Sequence, residues 1–293
     1  MQALWMLLAA LIFATMAVCV KFASAHFNSA ELVFYRGLIS TVFMLVLARS
    51  TGVRLSTPVP AMHLWRSLLG VFALGSWFYA IAELPLATAM TLNYMSSVWI
   101  AAFLVGGSIL LGRNTTQGAL VLTVLAGFGG VVMVLRPTLD ENQLFAGLVG
   151  LLSGIGTALA YLQVTALARV GEPEARTVFY FALGSMAVGA VALLFSGLSP
   201  WPGQAAWWLL PVGLLASLGQ LCMTRAYSRG PTLLVANMQY AGIVFAAGYS
   251  LLLFGDRIAP LAWAGIAVIV ASGIAATVLR ARSVPNAPAE EHT

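Results

Sequence analysis

Residues 84–111 read LPLATAMTLNYMSSVWIAAFLVGGSILL, and after Leu84 and Pro85 they form one long apolar run with no charged side chain. A run of this length can cross the roughly 30 Å hydrocarbon core of a bilayer as a helix, which takes about 20 apolar residues. The centre of the run nevertheless carries Asn93-Tyr94 and Ser96-Ser97. The stretch therefore predicts a membrane-spanning helix whose polar centre requires a partner, water or a ligand.

The composition extends this interpretation to the whole chain of 293 residues. Hydrophobic residues make up 61% of it and charged residues only 8%, against about 25% charged residues in an ordinary soluble domain. So few charges cannot cover the surface of a soluble domain of this size. An outer-membrane barrel would show segments of about ten residues with alternating polarity, and the sequence has no such segments. It predicts an all-α polytopic membrane protein.

Ten membrane-spanning helices are predicted, separated mainly by Gly, Pro and charged residues. The predicted spans cover residues 3–22, 31–48, 64–83, 86–111, 117–135, 145–168, 176–197, 206–228, 232–254 and 261–280. The first span lacks a basic segment and a clear cleavage site, so we interpret it as a retained helix and not a removed signal peptide. The connections leave no room for a soluble catalytic domain. Residues 281–293 are predicted to form a disordered cytoplasmic tail.

The basic residues orient these spans, because cytoplasmic loops of membrane proteins are enriched in Lys and Arg. With a cytoplasmic N-terminus, ten arginines fall on the cytoplasmic side: Arg49, Arg54, Arg66, Arg113, Arg169, Arg176, Arg225, Arg229, Arg280 and Arg282. The other side holds Lys21, Arg136 and Arg257. Both termini are therefore predicted to be cytoplasmic, in a bacterial-type inner membrane. This bias explains the basic composition without a nucleic-acid partner.

The two halves of the chain resemble each other at an offset of about 145 residues. The matches, in order, are Val33-Phe34-Tyr35 with Val178-Phe179-Tyr180, Ser40 with Ser185, Pro85 with Pro231, Tyr94 with Tyr240 and Gly130 with Gly273. We predict an N-terminal repeat over residues 3–136 and a C-terminal repeat over residues 145–280. Five helices per repeat, an odd number, place the second repeat upside down, as in many secondary transporters. A channel or a membrane enzyme could share this arrangement.

Short motifs at fixed places in the spans make a family resemblance specific. They are Phe34-Tyr35-Arg36-Gly37 in span two, Leu84-Pro85-Leu86-Ala87 before span four, Gly230-Pro231 before span nine and Phe254-Gly255-Asp256 after it. Over residues 3–280 the chain resembles the EamA branch of the drug/metabolite transporter superfamily. The resemblance implies a central cavity surrounded by helices 1, 3, 4, 6, 8 and 9, with helices 5 and 10 at the periphery. It implies transport of metabolites such as amino acids, vitamins or nucleotide derivatives, and leaves the substrate open.

Two positions depart from the pattern of this family. Many relatives carry Glu before the Tyr of span nine, where this chain has Gln239, and many end span four with Gly-Glu, where it has Gly112-Arg113. A proton-coupled mechanism that uses either carboxylate cannot be carried over.

Polar residues that share helix faces are the candidate substrate-binding residues. They are Asn93, Tyr94, Ser97, Gln239, Tyr240, Gln220, Thr224, Tyr79 and Tyr161. Asn93 and Gln239 are repeat-equivalent, and an unpaired amide in hydrocarbon costs several kcal/mol. We therefore expect Asn93-Tyr94 and Gln239-Tyr240 to face one cavity. The alternative is that these groups only join helices through hydrogen bonds of about 0.6 kcal/mol each. In span three we predict one polar face of Phe72, Ser76, Tyr79 and Glu83.

Few charged residues lie within the spans, where charges are costly and mark functional sites. Arg36 lies five positions after Glu31, and we predict a structural ion pair between the two. Glu83 ends span three, where a solvated helix-end carboxylate and a proton carrier are both open interpretations. With no carboxylate at mid-span, facilitated diffusion or exchange is favoured over proton coupling through Glu83.

The sequence thus favours a secondary transporter that moves a small neutral or zwitterionic metabolite, such as an amino acid or a vitamin-like aromatic solute, by alternating access. It shows no phosphate-binding loop, no clustered metal ligands and no hydrolytic Ser/His/Asp set. We expect no enzyme activity, cofactor or metal, with the lipid bilayer and a small-molecule substrate as partners. A homodimer is left open. The alternative function is a non-transporting membrane scaffold or an intramembrane enzyme.

Overall fold

The computed structural model of the protein is helical throughout the part that it describes. That part is residues 2–110, 141–230, 235–236 and 238–283, together with residues 122, 123, 125–127, 129, 130 and 133. The helices, numbered in chain order, are α1 (Gln2–Ala23), α2 (Ser29–Thr51), α3 (Pro60–Glu83), α4 (Leu86–Tyr94), α5 (Ser96–Leu110), α6 (Glu141–Arg169), α7 (Glu174–Ser196), α8 (Leu209–Arg229), α9 (Ala241–Leu253) and α10 (Pro260–Ser283). A 3-10 helix, Gly203–Trp208, leads into α8.

Six helices among the described residues are long and apolar enough to cross a membrane. They are α1, α2, α3, α6, α7 and α8, the last together with its 3-10 turn. The prediction of an all-α polytopic membrane protein is thereby confirmed. Predicted span five lies mostly outside the described residues, as do Gly112-Arg113, Arg136, Pro231 and residues 284–293 of the predicted tail. The first three residues of that tail, 281–283, continue α10.

The exterior of the bundle is apolar, as a lipid-facing surface requires. In α7, Leu194 is 82% exposed and Phe195 is 87% exposed, and Leu252 in α9 is 84% exposed. Large hydrophobic side chains at such exposure are unfavourable in water. They are at no disadvantage beside lipid tails, so the outer surface agrees with a membrane location.

Local signals at both ends determine the bounds of α2. Asn28 accepts a hydrogen bond from the backbone N–H of Glu31, whose side chain accepts one from the N–H of Asn28, which is a capping box. The helix ends before Gly52, whose φ of +71° is favoured by glycine.

The predicted ion pair between Glu31 and Arg36 is wrong. The Glu31 oxygens accept hydrogen bonds from Asn28 and from the N–H and hydroxyl of Ser199. Arg36 instead donates to the hydroxyl of Ser185 at 3.2 Å. The helix cap and the connection before α8 occupy the carboxylate, while the Arg36 side chain extends towards α7.

Predicted span four is divided in the structure, and the division falls within its polar centre. Helix α4 ends at Tyr94, Met95 has ψ −10°, and α5 begins at Ser96. Residues 235, 236 and 238 are helical, Gln239 and Tyr240 form a turn, and α9 follows. The N–H groups of Gly242 and Ile243 bond three residues back, to Gln239 and Tyr240, a tighter pattern than the α-helix has. Irregular helix geometry thus occurs at the two repeat-equivalent pairs.

The helices pack in pairs that each combine one helix from each half of the chain. Helix α1 contacts α8, α3 contacts α6, α2 contacts α7, and α4 contacts α9. In addition α4 contacts α6 and α1 contacts α9, while α2 contacts α8 and α3 contacts α7. The bundle core therefore lies between the two halves and is built by both.

Glycines allow α2 and α7 to approach closely. A Cβ atom on Gly37 would lie 2.8 Å from Cα of Met186, and one on Gly189 would lie 2.7 Å from Cα of Phe34. Real Cβ atoms do not come this close to a neighbouring backbone. Small residues at helix contacts are typical of membrane proteins because they let backbones meet.

The ends of α2, α6 and α8 lie together at one end of the bundle, which we name the basic end after Arg49, Arg169 and Arg229. Arg229 forms an ion pair with Glu174 at 2.9 Å, at the start of α7. Arg66, which the sequence assigned to the cytoplasmic side, is not a surface residue. It is 2% exposed inside the bundle and does not belong in the topology count.

Candidate functional site

A small polar cavity lies in the core between helices of both halves. Its polar lining consists of Arg66, Asn93, Tyr94, Thr157, Tyr161 and Gln220. Its apolar lining includes Phe13, Leu74, Trp77 and Phe181. The centres of water molecules can occupy about 50 Å³ of it, which is room for a few waters. This space is too small for a small organic metabolite of the kind that the sequence predicts as substrate.

Asn93 lies at the end of α4 and joins this helix to α6. Its Nδ2 donates hydrogen bonds to Oγ of Ser153 at 3.1 Å and to Oγ1 of Thr157 at 3.0 Å. The side chain is 4% exposed. Close contact is possible because a Cβ on Gly154 would lie 2.6 Å from the carbonyl oxygen of Leu92. Asn93 therefore both lines the cavity and holds two helices together.

Gln239 has a different position from its repeat equivalent. Its Nε2 donates to the hydroxyls of Ser96 at 3.0 Å and Ser97 at 2.6 Å. Ser97 in turn donates to the carbonyl oxygen of Ala236 at 2.8 Å. Gln239 thus joins the start of α5 to the irregular segment before α9. Neither it nor Tyr240 lines the cavity, so the expectation that both amide–phenol pairs face it is wrong for the second pair.

Four tyrosine rings are buried in or near the site, of which Tyr94 and Tyr161 line the cavity. Tyr94, Tyr227 and Tyr240 are each at most 3% exposed, and Tyr161 is 7% exposed. The rings of Tyr161 and Tyr227 are 4.9 Å apart. Among the described residues, the hydroxyls of Tyr94 and Tyr227 have no hydrogen-bond partner. Buried hydroxyls are normally paired, and Tyr94 lines the cavity, so its hydroxyl is available to a polar ligand or water there.

Two arginine side chains are also buried in or near the site. Arg66 in α3 and Arg36 in α2 are each 2% exposed. Nη2 of Arg66 donates to Oε1 of Gln220 at 3.4 Å, and Nη1 of Arg36 donates to Oγ of Ser185. Their guanidinium carbons lie 4.1 Å and 4.9 Å from the centre of the Phe181 ring. The two cations thus share one aromatic ring, whose face attracts positive charge.

The structure brings together only part of the predicted site. Asn93, Tyr94, Tyr161 and Gln220 line the cavity. Ser97, Gln239, Tyr240 and Thr224 are buried but lie outside its lining. Tyr79 is half-buried at the contact of α3 with α6, with its ring 6.0 Å from that of Phe145. Glu83 is exposed at the end of α3 and is not in the lining either.

The predicted polar face of span three is wrong. Phe72 on that face is 55% exposed, and the face is directed outwards. The inward face is the one that carries Arg66, Gly70 and Trp77. Helix α3 packs with this face inwards because Gly70 and Ala73 are small enough for close contact with α7 and α6.

The sequence interpretation missed Arg66 and Phe181 as cavity residues and left open whether Trp77 lines a cavity or faces lipid. Arg66 is the third residue of predicted span three, 64–83, which is why it was counted among the charges of the cytoplasmic side. The available signal was its spacing: Arg66, Gly70, Ala73 and Trp77 follow each other at three or four residues, as one helix face does.

A second buried polar cluster lies at the basic end, around Glu172 between α6 and α7. Oε2 of Glu172 is 3.0 Å from Nε2 of His63, and Oε1 accepts a hydrogen bond from Thr57 at 2.9 Å. Nη1 of Arg176 lies 3.1 Å and 3.2 Å from the two oxygens. Burial by itself would raise the pKa of Glu172, but the hydrogen bonds from His63, Thr57 and Arg176 outweigh it and hold the pKa below its ordinary value.

Beside this cluster the basic end is open. The opening is lined by Trp5, Glu174, Arg225 and Arg229, among others, and water centres can occupy about 730 Å³ of it. The Arg225 guanidinium carbon lies 4.7 Å from the centre of the Trp5 ring. A larger, open pocket thus lies at the basic end, and it shares no lining residue with the central cavity.

Comparisons with known proteins agree with this architecture. The chain is 34% identical over 273 residues to the pseudopaline exporter CntI of Pseudomonas aeruginosa, which covers 92% of this chain and 93% of the exporter. It is 26% identical over 275 residues to a riboflavin transporter of Rhizobium johnstonii, covering 93% and 89% of the two chains. With an S-adenosylmethionine uptake transporter of Rickettsia bellii the identity is 24% over 266 residues, covering 86% and 84%.

A solved crystal structure superimposes with a TM-score of 0.69 at 21% identity, covering 97% of this chain and 99% of the other, which shows a shared fold. The sequence profile of the EamA-like transporter family matches residues 1–136 and again residues 144–278. These matches cover nearly the whole described bundle, and the relatives are small-molecule transporters and not enzymes. The chain therefore belongs to the EamA-like transporter family.

Proposed function

We propose that this protein is a secondary transporter that moves a small organic metabolite across the inner membrane by alternating access. The observation that carries the proposal is the polar cavity between the two halves. Buried polar groups without partners destabilise a membrane protein, because each costs free energy in hydrocarbon. A protein that serves only as a scaffold has no use for them. The hydroxyls of Tyr94 and Tyr227 and two nitrogens of Arg66 are such groups among the described residues.

The proposal includes ten helices arranged as two inverted five-helix repeats, residues 3–136 and 145–280. It is supported by the main contacts between helices of opposite halves, which correspond to one another when the halves are exchanged. The contact of α1 with α8 corresponds to that of α6 with α3, and the contact of α4 with α6 corresponds to that of α9 with α1. The contacts of α2 with α7 and of α4 with α9 correspond to themselves. The two separate profile matches add support, and the positive-inside bias supports cytoplasmic termini.

Alternating access is supported by the shape of the bundle. The cavity is too small for a metabolite, while the basic end is open. Broken helices beside a central site are typical of transporters that rock one repeat against the other. We infer that α4–α5 and the segment before α9 bend at Met95 and Gln239-Tyr240 to enlarge the cavity.

The Tyr94 hydroxyl provides a sharp test of the site. Tyr94→Phe removes only this hydroxyl, which has no partner among the described residues, so the fold should be unaffected. Ligands are found by a thermal-shift screen of the purified protein against a metabolite panel, and flux of each hit is measured in proteoliposomes. We expect Tyr94→Phe to lower flux about tenfold, the effect of one lost hydrogen bond.

Tyr35→Phe is the matched control, because Tyr35 packs against Phe27 and Trp201 away from the cavity. It should keep wild-type flux. Asn93→Ala, Gln239→Ala and Tyr240→Ala are also expected to lower flux in inserted, folded protein. Wild-type flux in Tyr94→Phe and in all three alanine variants would refute the site. Absence of flux for every compound that binds would favour the scaffold or enzyme alternative.

The proposed mechanism is facilitated diffusion or exchange, because no carboxylate lines the cavity among the described residues. Flux should therefore be the same with and without an imposed pH gradient. Glu83→Gln should also leave flux unchanged, since Glu83 is exposed at the end of α3. Gradient-dependent flux that disappears in Glu83→Gln would instead establish proton coupling through this residue.

A further inference from the structure

Arg66 and Arg36 are the most unusual charges in the molecule. Both lie within membrane-spanning helices, Arg66 six residues after the helix start at Pro60 and Arg36 seven residues after that at Ser29, and both are 2% exposed. Arginine side chains stay protonated in proteins. Two positive charges are thus held beside each other in the bundle core, around the ring of Phe181.

Among the described residues, no acidic side chain compensates these charges. Glu31 bonds to Asn28 and Ser199, Glu172 to His63, Thr57 and Arg176, Glu174 to Arg229, and Asp256 to Ser250. Glu83 is exposed at a helix end. Glu141 begins α6, sixteen residues or about 24 Å of helix from cavity residue Thr157.

The hydrogen bonds of the two guanidinium groups are also incomplete. Nε and Nη1 of Arg66 and Nε of Arg36 are buried and have no partner in the part of the chain that the structure describes. The partners that they do have, the Gln220 amide oxygen and the Ser185 hydroxyl, are neutral. A buried charge without an opposite charge costs several kcal/mol, which a functional anion can offset when it binds.

We propose that the substrate carries a carboxylate, that Arg66 binds this group directly, and that Arg36 adds to the positive potential from behind Phe181. The inference rests on the proposed transport function and names the substrate class of that site. Arg66 lines the cavity, whereas Arg36 does not. The planar guanidinium fork matches the two oxygens of a carboxylate.

The other residues that line the cavity indicate the chemistry of the rest of this substrate. The rings of Phe13, Trp77, Tyr94 and Tyr161 line the same cavity and suit an apolar or aromatic body. One fork in direct contact suits one carboxylate, while a phosphate dianion would require more cationic donors around it. The expectation of a neutral or zwitterionic solute did not take Arg66 into account, because the sequence interpretation counted this residue among the cytoplasmic charges. A zwitterion with a carboxylate still fits, and a fully neutral solute does not.

The test compares acids with amides that have the same body. The full-length protein is purified into nanodiscs, and binding of phenylacetate, phenylacetamide, indole-3-acetate, indole-3-acetamide and phenyl phosphate is measured by calorimetry. We expect each acid to bind at least about tenfold more tightly than its amide, as hydrogen bonds to a charged group imply. Equal affinity of acid and amide, failure of both acids to bind, or tightest binding of phenyl phosphate would each overturn the proposal.

Variants of Arg66 test whether this residue causes the preference for acids over amides. In Arg66→Gln the acid should bind no better than the amide, while amide binding is retained and shows that the site is folded. Arg66→Lys, which keeps the charge without the fork, should be intermediate. The control Arg49→Gln removes an exposed arginine from the end of α2 and should behave as wild type. Equal weakening of acid and amide in Arg66→Gln would indicate a purely structural role and refute the assignment.

Flux measurements separate this inference from the proposed function. Acids that bind through Arg66 but do not enter proteoliposomes would refute transport of these compounds and leave the carboxylate site intact. Amides that are carried as well as acids would refute the carboxylate preference and leave transport intact.

Discussion

Gly37→Val is expected to destabilise the protein more than any other single substitution considered. The new side chain would begin 2.8 Å from Cα of Met186 and 2.9 Å from the carbonyl carbon of Ser185, and these backbone atoms belong to a helix that cannot move aside alone. Overpacking of a close contact costs about 3 kcal/mol or more, and we expect the apparent Tm to fall by roughly 10 °C. Thermal unfolding in detergent, followed by tryptophan fluorescence, measures this fall.

Glycines without a close neighbour provide the control, because replacing them changes helix propensity and hydrophobicity without creating a clash. A Cβ on Gly248 in α9 meets no atom within 4 Å, and one on Gly75 in α3 meets only Val33, at 3.9 Å. Gly248→Ala and Gly75→Ala should unfold within a few degrees of wild type. If Gly37→Val unfolds at the same temperature as these controls, α2 and α7 do not approach as closely as the structure has them.

Glu172→Ala is expected to have the second largest effect on stability. Glu172 is 7% exposed, and its loss leaves His63, Thr57 and Arg176 without their shared acceptor. Removing one member of a buried ionic cluster costs about 3 kcal/mol, so the apparent Tm should fall by several degrees. The same unfolding assay measures it, with Glu174→Ala as the matched control, since Glu174 pairs only with the half-exposed Arg229 and such surface pairs contribute little.

The pH dependence of unfolding checks the same cluster. Because the folded-state pKa of Glu172 lies below the ordinary value of 4.5, its contribution is fully present above pH 4.5. It is lost as the pH falls below 4.5 through the folded pKa. Glu172→Gln cannot be protonated in this way, so its apparent Tm should fall less than that of wild type as the pH drops below 4.5. Identical pH profiles would mean that the Glu172 carboxylate is not held by these hydrogen bonds.

The sequence predicted the bounds of the helices better than it predicted which face of each helix points towards the core. The bounds of α2, α3 and α7 follow from local signals such as the Asn28 capping box, and the polar centre of span four led directly to Asn93 and Tyr94. Tyr79, by contrast, was predicted to bind substrate, but it lies half-buried at the contact of α3 with α6 and outside the cavity lining. In a membrane helix both the lipid-facing and the core-facing sides are apolar, so periodicity alone does not identify the inner one.

The repeat indicated which positions correspond but not what each does. Asn93 and Gln239 are equivalent in sequence, yet Asn93 joins α4 to α6 and lines the cavity, while Gln239 joins α5 to the segment before α9. Each amide donates hydrogen bonds to hydroxyl groups of the opposite half. These hydroxyls lie on different helices, since Ser153 belongs to α6 and Ser96 to α5. Equivalence in sequence therefore leaves the difference between the two positions to the side chains around each of them.

By itself, the sequence determined that this chain is a helical membrane protein of a transporter family, because charge content and the length of apolar runs are properties of local composition. Only the tertiary structure decided where the charges act. Arg36 and Arg66 are 30 residues apart and lie on different helices, and they meet at Phe181 because glycines such as Gly37 and Gly70 let α2, α3 and α7 come together. Such contacts depend on the close approach of segments that are distant in sequence. No local sequence pattern predicts this approach.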